Sequence, residues 1–486
     1  MLSYTGHPLV DVGIATIAAF VGKREPTTLT EADLDRVADY IEENYVVDPL
    51  KSFLTVAFPN SGFTQPAYEK QPEKRQIYAR RILRAYRSGT PTLDVPCVFT
   101  GKPAVAIPLD VKNELTPGRV FRQHVPLLTG EGIINFYPYG NAGLAVSGEA
   151  LLALQALPLG CAKAAGRLLA VHADDPDVTY EFARRFLEHN RKAIQAAQQA
   201  HEKKMPEYEH RAGTVVIETL LKLEQITAEE EGRPISITAY HLSNSGQGAD
   251  LTIYYLPLEI TSFLRSAMSA AYRVAWDALC SRGWEISVAK RAGKAEAFTP
   301  RYNVLYEDLF RLPEEAAQFI RRYFLRAPAR RVKPGDPRAT YSLREDVHLV
   351  SWKLTELFLR KVVNMNQSRI QQIRELGDSL AKYVATENDR RFFHTFLTAR
   401  RYDDLRAVLI RTSVAQIKRG QPPIIAFDPY IGIFEEGEDL PYSDWRLARD
   451  LVLIRMIEQL HEIGWIQTHA KELPEPEVAE DEGTQS

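Results

Sequence analysis

Two incomplete metal half-sites limit what can hold this chain together. Cys97-Val-Phe-Thr100 and Cys161-Ala-Lys-Ala164 each have the outline of a CxxC whose second cysteine has been replaced. Two complete pairs would close a tetrahedral zinc centre. Two thiolates are too few to enclose a metal, so no zinc cofactor is expected and the fold has to be held by packing. The only other cysteine is Cys280. Three cysteines in a chain this long suit a reducing compartment, not a disulfide framework.

At 486 residues the chain is long enough for two or three domains with real cores. Its most apolar early run, Leu9 to Val21, contains Asp11 and is too short to span a bilayer. No basic-then-apolar leader opens the sequence. A cytoplasmic protein without a membrane partner is therefore expected. The net charge of −3 hides an uneven distribution. Residues 472–486 hold six acids and no Lys or Arg, which leaves 1–471 with a charge of +3. This acidic segment has two prolines and no aromatic residue, a composition that predicts disorder.

Hydrophobic spacing then sets the fold class. Val10, Ile14, Ile17, Ala18 and Val21 mark one helix face, with Gly22 placed to end it. Thr30-Glu-Ala-Asp33 resembles a capping box ahead of a second helix. A third helix is predicted from about Glu73 to Arg87, and short strands and loops across 89–147. Ile235–Leu242 and Leu251–Leu256 read as two strands. Residues 259–281, 341–420 and 443–467 read as helices. Ala327–Ala339 holds three prolines and a glycine and reads as a linker. The prediction is an α+β chain: a mixed N-terminal domain (1–326), a linker (327–339), a C-terminal helical bundle (340–471) and an acidic tail (472–486).

Enzyme signatures are missing. Gly101-Lys102 lacks the earlier glycine of a phosphate loop, and no GxSxG, HExxH or GxGxxG occurs. His172, Asp174 and Asp175 could ligate a metal, but a strand end with solvated acids before Pro176 explains them as well. Glu458 and His461 share a helix face without a second such pair. A non-enzymatic protein is expected.

Binding chemistry is better represented. Arg80, Arg81, Arg84 and Arg87 gather on the third predicted helix with Tyr78 and Tyr86 between them. Phosphate contacts and a solvated face paired with acids elsewhere account equally for that pattern. Around the linker, Arg330, Arg331 and Lys333 belong to a run of seven cations that meets one acid, Asp336. Residues 353–419 carry 14 Lys and Arg against 7 Asp and Glu, a field that attracts a polyanion. Between the two later strands, Asn244, Ser245 and Gln247 offer paired donors and acceptors, with Gly246 and Gly248 permitting close approach. An ordinary polar surface loop is the alternative. Asn60, Ser61 and Gln65 carry the same chemistry.

Several segments together resemble one family: Tyr4-Thr-Gly-His-Pro-Leu-Val-Asp-Val-Gly-Ile-Ala, Phe58-Pro-Asn-Ser-Gly-Phe-Thr-Gln-Pro66, Asn135-Phe-Tyr-Pro, Ala156-Leu-Pro-Leu-Gly-Cys161 and Asn244-Ser-Gly-Gln-Gly248. In order and spacing they resemble the CxxC…CxxC large subunits of type I-B CRISPR Cascade, over residues 4–260 by motif and beyond by domain order. Thr100 and Ala164 depart from the four cysteines of that family. The resemblance implies a non-catalytic subunit at the crRNA 5′-handle end. Such a subunit recognises the protospacer-adjacent motif in target double-stranded DNA, aids strand opening and R-loop formation, and presents DNA to a separate helicase–nuclease. It implies backbone, handle-capping and small Cascade subunits as partners, the last translated internally from about Met365, inside the first long helix of the bundle. Asn244, Ser245 and Gln247, with Asn60, Ser61 and Gln65, would meet the motif. A transposon-associated Cascade that targets without cleavage is a variant. A metal-dependent nuclease on His172, Asp174 and Asp175 and a protein-only scaffold are the rival classes.

Overall fold

The computed structural model describes residues 2–110, 116–128, 142–227, 233, 235–244, 248–286, 300–435, 445–470 and 472–474, with the side chains of 225–227 excepted. Ser245, Gly246, Gln247, the Asn135-Phe-Tyr-Pro segment and residues 475–486 lie outside them. The fold is α+β, with small antiparallel sheets and a helical C-terminal region. It divides into two compact units, Met1–Leu223 with Ile235–Pro257, and Glu224–Pro234 with Leu258–Ser486.

The first unit is built around α1 (Pro8–Val21). Every residue from Leu9 to Ala18 is buried, so this helix is covered all round instead of along the single stripe its spacing suggests. Gly22 ends it in the left-handed region, at φ 76°. The other helices are α2 (Glu31–Asn44), α3 (Leu50–Ala57), α4 (Pro66–Glu69), α5 (Pro72–Leu83), α6 (Gly148–Ala156), α7 (Pro176–Gln199) and α8 (Ala212–Thr227), which begins in this unit. At α2 the capping box forms: the Thr30 hydroxyl accepts from Asp33 N, and the Asp33 carboxylate accepts from Thr30 N. Helix α1 packs on α6 and α7. A Cβ on Gly13 would lie 2.0 Å from the Ala153 carbonyl oxygen, so only glycine allows α1 and α6 to approach this closely.

Two short ribbons, β1 (Thr92–Pro96) with β2 (Pro103–Val105) and β3 (Arg119–Val120) with β4 (Leu144–Ala145), precede a four-stranded antiparallel sheet. Its order is β5 (Ala162–Ala164), β6 (Arg167–Ala173), β7 (Ile237–Ser243), β8 (Asp250–Leu256). The β7–β8 register runs from Ile237↔Leu256 to Ser243↔Asp250, so the two strands pair as an antiparallel hairpin. Both strands stand where the sequence places them.

The second unit is helical: α9 (Leu258–Ala267), α10 (Arg273–Ser281), α11 (Val304–Leu309), α12 (Ala316–Phe319), α13 (Leu343–Asp346), α14 (Trp352–Phe358), α15 (Gln367–Glu387), α16 (Arg390–Leu397), α17 (Tyr402–Lys418), α18 (Phe427–Phe434), α19 (Trp445–Glu462) and α20 (Trp465–His469). Helices α15 and α19 pack along their length. Met365 lies outside the long helix in which the sequence places it. It sits between a π-helical turn (Leu359–Val363) and α15, with Asn364 left-handed and Asn366 capping α15.

The unit boundary differs from the expected one. Residues 258–326 join the helical unit through an aromatic cluster in which Phe358 stacks on Phe319 at 5.2 Å and meets Phe263 edge-on at 5.3 Å. Residues 327–339 are no linker between units. They form a loop within the second unit, closed by Ala329 N donating to Arg338 O and by Ile286 N donating to Gly335 O. Proline and glycine shape a packed loop here as readily as an open one.

Candidate nucleic-acid interface

The end of β7 meets α3. Asn244 N donates to the Val56 carbonyl of α3 at 2.7 Å, which ties Asn244 to the helix that leads into Asn60–Gln65. Asn244 is 4% exposed, and its Nδ2 has no hydrogen-bond partner among the described residues. An unmet buried donor costs about 1–3 kcal/mol, so this amide stands out. Ahead of β8 Gly248 has φ 125°, a conformation that suits glycine.

Within the second loop the expected set divides. Asn60 is exposed and left-handed at φ 64°, and Gln65 Nε2 donates to its carbonyl at 3.4 Å. Ser61 is not a surface group: it is 1% exposed, and its hydroxyl is 3.3 Å from that of Tyr78. Burial pushes the Tyr78 phenol up to about 12, against the pull of the Ser61 hydrogen bond. Ser61 thus fastens the loop to α5, while Asn60 and Gln65 remain available at its surface.

The arginine face expected on α5 does not form. The helix ends at Leu83, and Arg84 is its C-cap. Arg84 pairs with Asp39 at 2.7 Å and Glu42 at 2.5 Å, and Arg87 with Asp35 at 2.7 Å, all on α2. Tyr86 donates to the same Asp35. Arg81 donates to the Asp110 carbonyl at 3.0 Å, and Arg80 is exposed. These geometries match the reading in which the cations pair with distant acids.

The cations of 321–338 also separate into two groups. Arg321 reaches Asp450 at 2.5 Å, Arg322 reaches Asp308 at 3.2 Å, and Arg326 reaches Asp346 at 2.8 Å. Arg338 joins Asp336 at 2.8 Å and Asp308 at 3.0 Å. Arg326 is fully buried, with its guanidinium 3.6 Å from the Tyr341 ring centroid. Arg330, Arg331 and Lys333 are exposed and make no ion pair among the described residues.

The metal candidates all have structural partners. His172 faces Asp11 at 3.5 Å, and Asp174 accepts from Ser236 N. Asp175 caps α7. Burial pushes the Asp11 carboxyl up, but hydrogen bonds from His172, Thr5 and Gly6 outweigh it and hold the group below the usual range. That clamp is what the Tyr4-to-Ala15 motif builds. Tyr4 and Thr5 also line a cavity of about 230 Å³ with Phe99, Thr100, Lys102 and Glu149. Thr100, at a missing-cysteine position, lies 3.1 Å from the Ser147 hydroxyl that caps α6, and Lys102 pairs with Glu149 at 2.8 Å. The Ala164 carbonyl lies 2.8 Å from His241 Nε2. Cys97 Sγ accepts from Phe99 N, and the Cys161 carbonyl accepts from Asn190. Among the described residues, no group of three or more His, Cys, Asp or Glu is placed to hold a metal ion. Glu458 is no free helical acid: it accepts from Trp352 N at 2.8 Å and Arg455 at 2.6 Å.

Sequence reasoning missed Asn190 and His124, because the Leu159 and Cys161 carbonyls that meet the one, and Leu109 and Tyr78 that meet the other, lie far away in the chain. Asn190 donates to the carbonyls of Leu159 and Cys161 and fixes the turn into β5. No protein-family model, curated protein or solved structure matches the chain.

Proposed function

We propose that this chain is the non-catalytic large subunit of a CRISPR RNA-guided surveillance complex. In this reading it recognises the protospacer-adjacent motif in duplex DNA, aids strand opening and hands the DNA to a separate helicase–nuclease. Its partners are crRNA, the other Cascade subunits and the target duplex. The observation that carries the proposal is the Asn244 N–Val56 O bond, which ties Asn244 to α3, the helix that leads into the amide-bearing Asn60–Gln65 loop. Side-chain amides read base edges by paired donors and acceptors. Asn244, buried, positions the tip; Ser245 and Gln247 reach the DNA, with Asn60 and Gln65 beside them. Arg330, Arg331 and Lys333 supply phosphate contacts in a separate patch. A small subunit started at Met365 would span residues 365–486 and open just ahead of α15.

The test uses the assembled complex and duplex targets matched to the guide, with and without the motif. Asn244→Ala with Gln247→Ala should weaken binding to the motif-bearing target about 10-fold and leave assembly intact. Arg330→Ala, Arg331→Ala and Lys333→Ala together should weaken binding to every sequence and flatten its salt dependence. Unchanged binding of the amide variant to the motif-bearing target would sink the proposal.

A further inference from the structure

Helix α17 is apolar on two sides. Tyr402, Leu405, Val408 and Leu409 are buried in the unit. On the opposite side Ile410, Val414 and Ile417 are 51%, 44% and 57% exposed, at i, i+4 and i+7. A surface helix ordinarily keeps one apolar stripe, and a second one aligned along two turns marks a face that something covers. Arg411 and Lys418 are exposed on the same side and make no ion pair among the described residues. The face is therefore an apolar strip with a cationic rim, suited to a segment that mixes acids with small apolar side chains.

Such a segment begins at the same corner of the unit. Arg419, one residue past α17, pairs with Glu387 at the end of α15. Three residues on, Arg390 pairs with Glu472. The Leu473 carbonyl accepts from Arg344 at 3.0 Å, and its side chain is 3% exposed. The Glu387–Arg390 turn thus holds both the end of α17 and Glu472. Beyond Pro474 come residues 475–486, with Glu475, Glu477, Glu480, Asp481 and Glu482, the apolar pair Val478-Ala479, and no cation. At about 3.4 Å per residue twelve residues span up to about 40 Å. The strip from Arg411 to Lys418 is about 10 Å long.

We propose that residues 475–486 occupy the Ile410–Val414–Ile417 face of α17 in the same molecule. Their carboxylates lie toward Arg411 and Lys418, and Val478 packs on the apolar strip. Tethering raises the effective concentration of the segment, so modest contacts are enough to hold it. While seated it withholds those cations from an outside polyanion, which must displace it to bind. The inference stands apart from the motif-recognition reading, since it concerns a different unit and a contact within the chain.

Carbodiimide cross-linking of the full chain, followed by peptide mass spectrometry, tests the occupancy without any nucleic acid. The expected product joins an acid of 475–486 to Lys418 within one chain, at a yield independent of protein concentration. Ile417→Asp, with unchanged circular dichroism, should lose it. A chain ending at Pro474 should bind a fluorescent mixed-sequence single-stranded DNA about 10-fold more tightly than the full chain in low salt, with the gap closing as salt rises. Cross-links from the segment only to other lysines, or only between two chains, overturn the proposal, as does equal DNA affinity of the two forms. If neither form binds DNA, the nucleic-acid reading fails and the cross-link alone decides the occupancy.

Discussion

His124 shows how one residue can couple the first unit to pH. It is fully buried, its ring stacks on Tyr78, and Phe121 N donates to its Nδ1. That bond leaves the proton on Nε2, which lies 3.2 Å from the Leu109 carbonyl. Burial holds the imidazole down to about 4, with the Leu109 carbonyl and Asp110 opposing. The unfolded chain takes up this proton near pH ~6.5 and the folded chain only near 4. Stability is therefore full above about pH 6.5 and falls as the pH drops toward 4, by at most about 3 kcal/mol. Urea titrations of the wild type and His124→Gln should show the wild-type advantage shrinking across that window. An advantage that does not vary with pH would contradict the assignment. At this scale the sequence was legible where partners are local, as at Thr30 with Asp33 or at Gly22. His124 was invisible because Leu109 and Tyr78 meet it only through the fold.

Among elements, existence was easier to read than ending. Helix α5 was expected to run to Arg87, and its pattern does not forbid that. It stops at Leu83, and Arg84 and Arg87 beyond it reach acids on α2, more than 40 residues back in the chain. Spacing also showed that α1 is helical but not that it is covered all round, since its cover comes from α6 and α7. The α1–α6 contact makes a sharp prediction. Gly13→Ala puts a methyl group where the Ala153 carbonyl now sits, and the two helices must separate. Destabilisation by about 1–3 kcal/mol is expected in a denaturant titration, and wild-type stability would show that the contact gives way freely.

Over the whole molecule the least legible feature was the division into units. The stretch at 327–339 looked like the boundary because of its three prolines and a glycine. Within it Arg338 pairs with Asp308, and just before it Arg321, Arg322 and Arg326 reach Asp450, Asp308 and Asp346, which holds the stretch inside the second unit. Asp346 accepts from Arg282 at 3.0 Å as well as from Arg326. Burial pushes its carboxyl up, but the two guanidinium groups outweigh that and hold it below the usual range. Its contribution is thus present above about pH 4 and lost as the pH falls through the lowered value. Asp346→Asn should destabilise the second unit by about 3–5 kcal/mol at neutral pH, because Arg326 is left buried without a counter-charge. A melting temperature equal to that of the wild type would show the charge to be dispensable. The candidate interface was half legible: both segments could be named from composition, but the bond from Asn244 to α3, and the burial of Ser61 and Asn244, belong to tertiary structure.

The two-unit division also sorts the chain's natural optical and chemical reporters. All five tryptophans, Trp276, Trp284, Trp352, Trp445 and Trp465, belong to the second unit, whereas Cys97 and Cys161 are buried thiols of the first. Indole fluorescence therefore follows one unit alone. The rate at which a thiol reagent reaches Cys97 and Cys161 follows the other. Cooperativity between the units can be measured in the unmodified chain by asking whether the two signals change together.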